Sequence, residues 1–347
     1  QKGMFRLFKA LKTLDEIKWD PQVISMFKEV VKKIKKSKEK FETEYSFSSA
    51  IGGRIMYLKA IPEFNDEKML ETILFVSNDI TEAKQIEQEI KDKNKKISES
   101  INYAERIQSA ILPSGKIIRK HFPKSFMLYI PRDVVSGDFP WFFEKEEHIY
   151  IAVVDCTGHG VPGALLSFVG YFILNNIVDR DTDYTAGKIL DLLHFGVRRT
   201  LRQESEDAEA RDGMDVALCK INMKTNTLQY AGAHRPLFFI RNGEFKEFKG
   251  DRKAIGGIPS KKRAEKDFTN YEIKIEKGDK IFYFSDGLPD QLNEENKKYK
   301  PSRIREAVIK HHNLSMPAFS NYFSKDFKRW RGKMKQIDDV LMIGIEF

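Results

Sequence analysis

The sequence predicts an α+β protein of antiparallel sheets and helices, preceded by a small α+β module and a connecting helix. Three observations predict it. Apolar, strand-like runs in the C-terminal two thirds are joined by turns as short as Met223–Asn226 and Asn242-Gly243. Such turns make hairpins, whereas a doubly wound sheet needs long helical crossovers. Residues 84–112 contain neither Gly nor Pro and carry isoleucines at 86, 90, 97, 101, 107 and 111. Residues 1–83 turn from helical periodicity to strand-like runs.

In chain order, Val23–Lys36 has helical spacing of apolar residues. Strands follow at Phe41–Ser48, Arg54–Ile61 and Glu71–Ser77, with turn residues at Gly52-Gly53 and Asn65-Asp66. The isoleucine stripe of 84–112 is set at spacings of four and seven, and Pro113 ends the helix. The stripe suits a short parallel coiled coil, and hence a homodimer, or a single amphipathic helix packed on the next domain. From 113 to 347, strands are expected at Phe126–Ile130, Ile149–Asp155, Met214–Asn222, Thr227–Ala233, Leu237–Arg241, Phe245–Lys249, Tyr271–Ile275, Lys280–Ser285 and Asp339–Phe347. Helices are expected at Gly163–Val178, Ala186–Gln203, Ser302–Lys310 and Pro317–Arg329.

Composition narrows the function class. A chain of 347 residues, 41% hydrophobic and 12% aromatic, can bury a full core and is not a disordered polymer. No run approaches about 18 uninterrupted apolar residues, so no membrane-spanning segment is expected. Gln1-Lys2-Gly3 does not begin a secretory leader. A cytoplasmic location is expected, with room for a membrane tether upstream of Gln1. Cys156 and Cys219 sit in apolar runs and form neither a disulfide framework nor a zinc motif. The net charge of +9 invites a nucleic-acid reading. Its basic residues concentrate in Val31–Lys40 and Lys328–Lys335 without a recognition motif, which favours solvated faces over nucleic-acid binding.

The chemistry lies where aspartates fall relative to strands. Ile149–Asp155 is an apolar strand ending in Asp155 and running into Cys156-Thr157-Gly158-His159-Gly160. Ile281–Asp286 ends in Asp286 before Gly287. Asp338-Asp339 opens a third apolar strand, and Ser136-Gly137-Asp138 precedes the aromatic run Phe139–Phe143. Each aspartate alone is a common turn former. Four at strand ends can converge on one rim, where they repel and raise one another's pKa unless a cation neutralises them. Hard divalent cations with oxygen ligands do so, and a pair about 3.5–4 Å apart is the usual device for displacement at phosphorus. Glycines such as Gly158 allow the backbone to approach an ion or phosphate closely. Neither cysteine sits in a Cys-x5-Arg loop, so a cysteine phosphatase is disfavoured.

Gly137-Asp138, Asp155-Cys156-Thr157-Gly158-His159-Gly160, Gly213-Met214-Asp215, Ala231-Gly232-Ala233, Ser285-Asp286-Gly287 and Asp338-Asp339 occur in that order. The set resembles the motifs of the bacterial branch of type-2C (PPM) phosphatases, the SpoIIE/RsbU type, over residues 113–347. The resemblance implies an antiparallel β-sandwich flanked by helices that hydrolyses phosphoserine or phosphothreonine with two Mn²⁺ or Mg²⁺ ions. It implies that Asp155 bridges both ions and that the Cys156 carbonyl faces one. Asp286 and Asp338 would complete one ion's ligands, with Asp138 reaching the other. Asp339 is the alternative to Asp338, and Asp215 is a recurrent aspartate of less defined role. His159 is expected to shape the glycine turn. Arg132 is the nearest candidate for the phosphate-gripping arginine of eukaryotic relatives, and Arg235 stands where an amide residue is expected.

Tyr57–Pro62 and Ile73–Glu82 resemble the closing strands of a PAS sensor domain and the turn into its following helix. Together the resemblances imply a phosphatase governed by an N-terminal sensor through the helix at 84–112. The implied substrate is a phosphorylated protein, such as an anti-sigma-factor antagonist of the STAS type. The alternative is a degenerate phosphatase fold that docks a partner without turnover.

Overall fold

The computed structural model describes residues 21–49, 52–204, 211–258 and 265–347. The opening Gln1-Lys2-Gly3 therefore lies outside the described residues. The chain divides into two compact units, Gln1–Glu99 and Ser100–Phe347.

In the first unit, α1 (Pro21–Ser37) precedes β1 (Phe41–Ser49), β2 (Gly52–Phe64) and β3 (Leu70–Asp79), which form an antiparallel sheet in that order. Val23, Phe27, Val30 and Ile34 lie on one stripe of α1 and join Leu58, Ala60 and Phe75 in a single core. The lysines of the Val31–Lys40 run lie on the exposed side. Gly52 and Gly53, expected in a turn, pair instead with Ser49 and Ser48 in the ladder. The segments read as closing strands are adjacent in β2 and β3, with Tyr57 opposite Asn78 and Pro62 opposite Ile73. The helix expected over 84–112 is α2, Thr81–Ile111. It starts at Thr81 because Asp79 Oδ1 accepts the Thr81 N–H at 2.9 Å, satisfying a donor of the first turn. Ile86, Ile90 and Ile97 of its stripe are exposed.

The second unit is an antiparallel sandwich. Its first half contains α3 (Gly115–His121), β4 (Ser125–Ile130), β5 (Phe139–Lys145), β6 (His148–Cys156), α4 (Gly160–Val178) and α5 (Ala186–Thr200). Strands β7 (Gly213–Asn222), β8 (Thr227–Ala233), β9 (Leu237–Arg241), β10 (Glu244–Phe248), β11 (Ile255–Gly256), β12 (Tyr271–Lys274) and β13 (Lys280–Phe284) follow. The chain closes with α6 (Gly287–Asp290), α7 (Pro301–Lys310), α8 (Met316–Arg331) and β14 (Val340–Glu346). One sheet has the order β10-β9-β13-β14-β4 and the other β12-β8-β7-β6-β5, with β11 paired to β7.

Side-chain alternation builds the layers. Ile151 and Val153 of β6 meet Tyr283, Leu341 and Ile343 of the facing sheet. Ala152 and Val154, on the opposite face, meet Leu166 and Leu174 of α4 and Leu193 of α5. On the far side, Phe282 and Phe284 pack on Ile304 of α7 and Phe319 and Phe323 of α8. Each sheet is thus covered on both faces, which is why its central strands read as continuous apolar runs.

Some boundaries differ from expectation for local reasons. The aromatic run after Asp138 is a strand, β5, and Pro140 is tolerated there because β5 lies at a sheet edge. Helix α4 begins at Gly160 rather than Gly163, since Pro162 sits in the first turn where no N–H is needed. Helix α5 stops at Thr200, short of Gln203, and Arg202 has φ of 54°, which no right-handed helix accommodates. By length and composition α4 is apolar enough to cross a membrane. Here it is the core helix of the sandwich, with Leu166, Leu174 and Ile177 buried.

Candidate active site

The two sheets deliver their acids to one rim. Asp155 follows six buried residues of β6, and Asp215 of β7 is its cross-strand partner. In the other sheet β13 and β14 are neighbours, so Asp286, just beyond β13, and Asp338-Asp339, just before β14, emerge together. The sheets are tied at this point: the Asp286 N–H donates to Asp155 Oδ2 at 2.9 Å. Gly287 is required by the approach, because a Cβ there would lie 1.9 Å from the Asp339 carbonyl oxygen.

Asp138 arrives from the loop between β4 and β5. Gly137 and Gly163 both press on the Gly158 carbonyl; a Cβ on either would fall 2.5 and 2.4 Å from it. The Asp138 carbonyl accepts from Tyr129 Oη and Ser136 Oγ, each at 3.0 Å, which fixes the residue. Gln108 of α2 holds the backbone of Ser136 through both its N–H and its carbonyl. Its Nε2 donates to the Ser136 carbonyl (2.7 Å) and its Oε1 accepts the Ser136 N–H (3.1 Å). Nε2 also lies 3.2 Å from Ser167 Oγ of α4.

The structure separates the adjacent acids 338 and 339. Asp339 is buried and its oxygens accept the backbone N–H groups of Arg132 (2.7 Å) and Gly137 (2.8 Å). It braces the loop that carries Asp138. Asp338 is half-buried, and its Oδ1 accepts the Asp339 N–H at 2.9 Å. His159 stands before α4 with Nδ1 2.9 Å from Asp133 Oδ2. The Arg132 guanidinium donates to the Ile337 carbonyl at 2.8 Å. Cys156 is buried, and a Cβ at Gly137 would sit 3.4 Å from its carbonyl oxygen. Burial, and then the Asp138 and Asp155 charges, push its thiol well above the usual range.

Arg235, in the loop after β8, stands where an amide residue was expected. Its Nη2 lies 2.6 Å from Asp215 Oδ2, 3.2 Å from Asp286 Oδ2 and 3.7 Å from Asp155 Oδ2. Its Nε reaches the same Asp215 oxygen at 3.1 Å, and His234 Nδ1 lies 2.8 Å from Asp215 Oδ1. Burial works against the guanidinium charge, but the carboxylates more than offset it and hold its pKa above the ordinary value. The only sequence signal was its own oddity: a charged residue where an amide was expected. Gln108 gave none.

The carboxyl groups outnumber the one arginine that lies among them. Burial raises Asp155 most; Arg235 pulls it down and Asp286 pushes it up, leaving it at about 7. Asp138 is held well above the carboxylate range by burial first and then by the Asp155 charge. Its Oδ2 is buried without a hydrogen-bond partner among the described residues. Asp286 and Asp338 are raised too, chiefly by burial. Among the described residues no three His, Cys, Asp or Glu side chains stand ready to enclose an ion, and Arg235 lies between three of the acids. The donor set is nonetheless all oxygen, with one buried oxygen lacking a partner among the described residues and more carboxyls than the one arginine can pair. It fits hard divalent cations.

A family model described as Stage II sporulation protein E (SpoIIE) matches residues 145–347. The chain belongs to the SpoIIE family. The phosphoserine phosphatase RsbU of Bacillus subtilis (strain 168) is 24% identical over 210 residues, 60% of this chain. The match spans 58% of the length of RsbU. Among solved structures, the SiaA-PP2C domain of Pseudomonas aeruginosa is 29% identical, with a TM-score of 0.65 over 74% of this chain and 98% of that domain. The PP2C phosphatase domain of Bacillus subtilis SpoIIE, with a fragment of its regulatory domain, is 14% identical. It superposes with a TM-score of 0.50 over 94% of this chain and 88% of that one, a likeness of fold alone. The SpoIIE-family sandwich is therefore the frame on which this carboxylate rim is built.

Proposed function

We propose that this chain is a divalent-cation-dependent protein phosphatase acting on phosphoserine or phosphothreonine. The observation that carries the proposal is the gathering of Asp138, Asp155, Asp286 and Asp338, far apart in sequence, at one rim with their pKa values raised. Kinship with RsbU, named a phosphoserine phosphatase, supports the same chemistry.

Asp138, Asp155, Asp286, Asp338 and the Cys156 carbonyl would hold two Mn²⁺ or Mg²⁺ ions. Bound there, the ions supply Lewis acidity that activates water and neutralises charge on a phosphoryl group. The chain's own residues set the geometry. Asp155 is locked to the facing sheet through the Asp286 N–H. Asp339 and Gln108 fix the loop bearing Asp138. Arg235, anchored on Asp215 and close to Asp155 and Asp286, would offer a cation to an anionic group. No phosphoenzyme is required.

The substrate is a phosphorylated signalling protein, with a STAS-type anti-sigma antagonist as the specific candidate. Residues 1–83 would act as a PAS-like sensor, 84–112 as the transmitting helix and 113–347 as the phosphatase domain, in a cytoplasmic setting. The exposed Ile86, Ile90 and Ile97 support a homodimer through α2. A partner-docking module without turnover is the second reading, favoured by Arg235 already lying among the acids.

The test is hydrolysis of p-nitrophenyl phosphate and of a phosphoserine peptide. Millimolar Mn²⁺ should support both and EDTA should abolish them. Asp155→Asn should lower the rate by about a thousandfold, about 4 kcal/mol of barrier. A cation-independent rate, or one that Asp155→Asn leaves intact, would defeat the proposal.

A further inference from the structure

The basic run Lys328–Lys335 takes no part in the carboxylate rim, yet it ends beside it. Helix α8 finishes at Arg331, and Gln336 and Ile337 then meet Ile130 and Arg132 at the end of β4 and in the loop that follows it. Between these segments lies an open groove of about 750 Å³ whose lining includes Arg132, Asp133, Arg331, Lys335, Gln336 and Ile337.

Both walls lead into the acidic cluster. Arg132 donates through its N–H to Asp339 and through its guanidinium to the Ile337 carbonyl, which joins the walls. Gln336 Nε2 donates to the carbonyls of Ile130 (2.7 Å) and Asp338 (2.8 Å), so the groove floor is continuous with Asp338. Three cations line the groove against one carboxylate, Asp133, which meets His159 at 2.9 Å and Arg132 Nε at 3.9 Å and leaves Arg331 and Lys335 as the excess. Arg331 Nε is buried without a hydrogen-bond partner among the described residues.

We propose that this groove docks an acidic stretch flanking the phosphorylated residue of the substrate protein. The proposal rests on the phosphatase reading of the adjoining rim and adds the class of substrate. A segment entering a rim rich in carboxylates is repelled if it is acidic itself; the basic groove reverses that repulsion on one side and sets the direction in which the segment lies. Negative flanks beside a phosphoserine thereby become a selection rule.

The experiment measures binding rather than turnover. Three fluorescent phosphoserine peptides, identical except for acidic, neutral or lysine flanks, are titrated with the full chain in EDTA and followed by anisotropy. The acidic-flanked peptide should bind about tenfold more tightly than the neutral one, as several partly exposed charge pairs provide, and the advantage should shrink with salt. Lys335→Glu combined with Arg331→Gln should erase the preference and improve binding of the lysine-flanked peptide, a gain that misfolding cannot produce. Equal affinities in the unaltered chain, or a preference that survives both substitutions, would overturn the proposal. So would a uridine oligomer that binds as tightly as the acidic peptide and loses affinity in parallel. Failure of the phosphatase reading would register separately, as absent Mn²⁺-dependent hydrolysis of p-nitrophenyl phosphate, a substrate with no flank.

Discussion

Two buried aspartate sites in the same domain differ in how their charge is met. Asp326 of α8 accepts Tyr299 Oη at 2.7 Å and Arg303 Nε and Nη2 at 3.0 and 2.9 Å. Burial raises its pKa, but Arg303 and Tyr299 outweigh burial and bring it below the usual carboxylate value. At the rim, one arginine is shared by Asp155, Asp215 and Asp286, and Asp138 keeps an oxygen with no partner among the described residues. There burial wins, and Asp155 rests at about 7. An acid that serves the fold is saturated by donors from its own chain. Carboxyls left short of donors in a rigid frame mark where a ligand is expected.

The contrast can be broken at either site. Asp326→Ala should have the larger effect on the fold, about 2 kcal/mol by urea denaturation, because Tyr299 and Arg303 lose a shared acceptor. It should leave Mn²⁺ affinity unchanged. Arg235→Gln should do the reverse. It removes the internal cation that contends for Asp155 and Asp286, so calorimetry should show Mn²⁺ binding about tenfold more tightly, about 1.4 kcal/mol. Weaker Mn²⁺ binding in that variant would mean that Arg235 organises the acids rather than competing for them.

The smallest effect sharpens the contrast through pH. The folded pKa of Asp155 lies above its unfolded value, so the folded chain binds the extra proton. Its contribution to stability is fully present below the ordinary carboxylate value and is lost as pH rises through about 7. The melting temperature of the cation-free protein should therefore rise as pH falls from 7.5 towards 5, and Asp155→Asn should flatten that slope. Asp326 works in the opposite sense: its contribution is present at neutral pH and is lost only as pH falls through its lowered value.

Much of this frame was legible in the sequence because sheets covered on both faces leave uninterrupted apolar strands. Thr227–Ala233 and Leu237–Arg241 are strands with the bounds expected. The acids at the end of β6, after β13 and before β14 stood out because a charge ends such a run abruptly. What escaped depends on contacts between distant segments. β5 was obscured by Pro140, which only an edge position permits. Asp338 and Asp339 are neighbours in sequence, and only the backbone N–H groups of Arg132 and Gly137 give them different tasks. Arg235 showed only as a charge where an amide was expected, and Gln108 acts across a helix and a loop with no local pattern to announce it.

The central claim is that the acids of the rim form one cation site. Its most direct test is calorimetric titration of Mn²⁺ into the full chain at neutral pH, with Asp155→Asn alongside. The account predicts saturable binding of about two ions per chain, the number expected of a paired-metal phosphoryl-transfer site, and its loss in the variant. No heat of binding, or binding that Asp155→Asn leaves untouched, would contradict it.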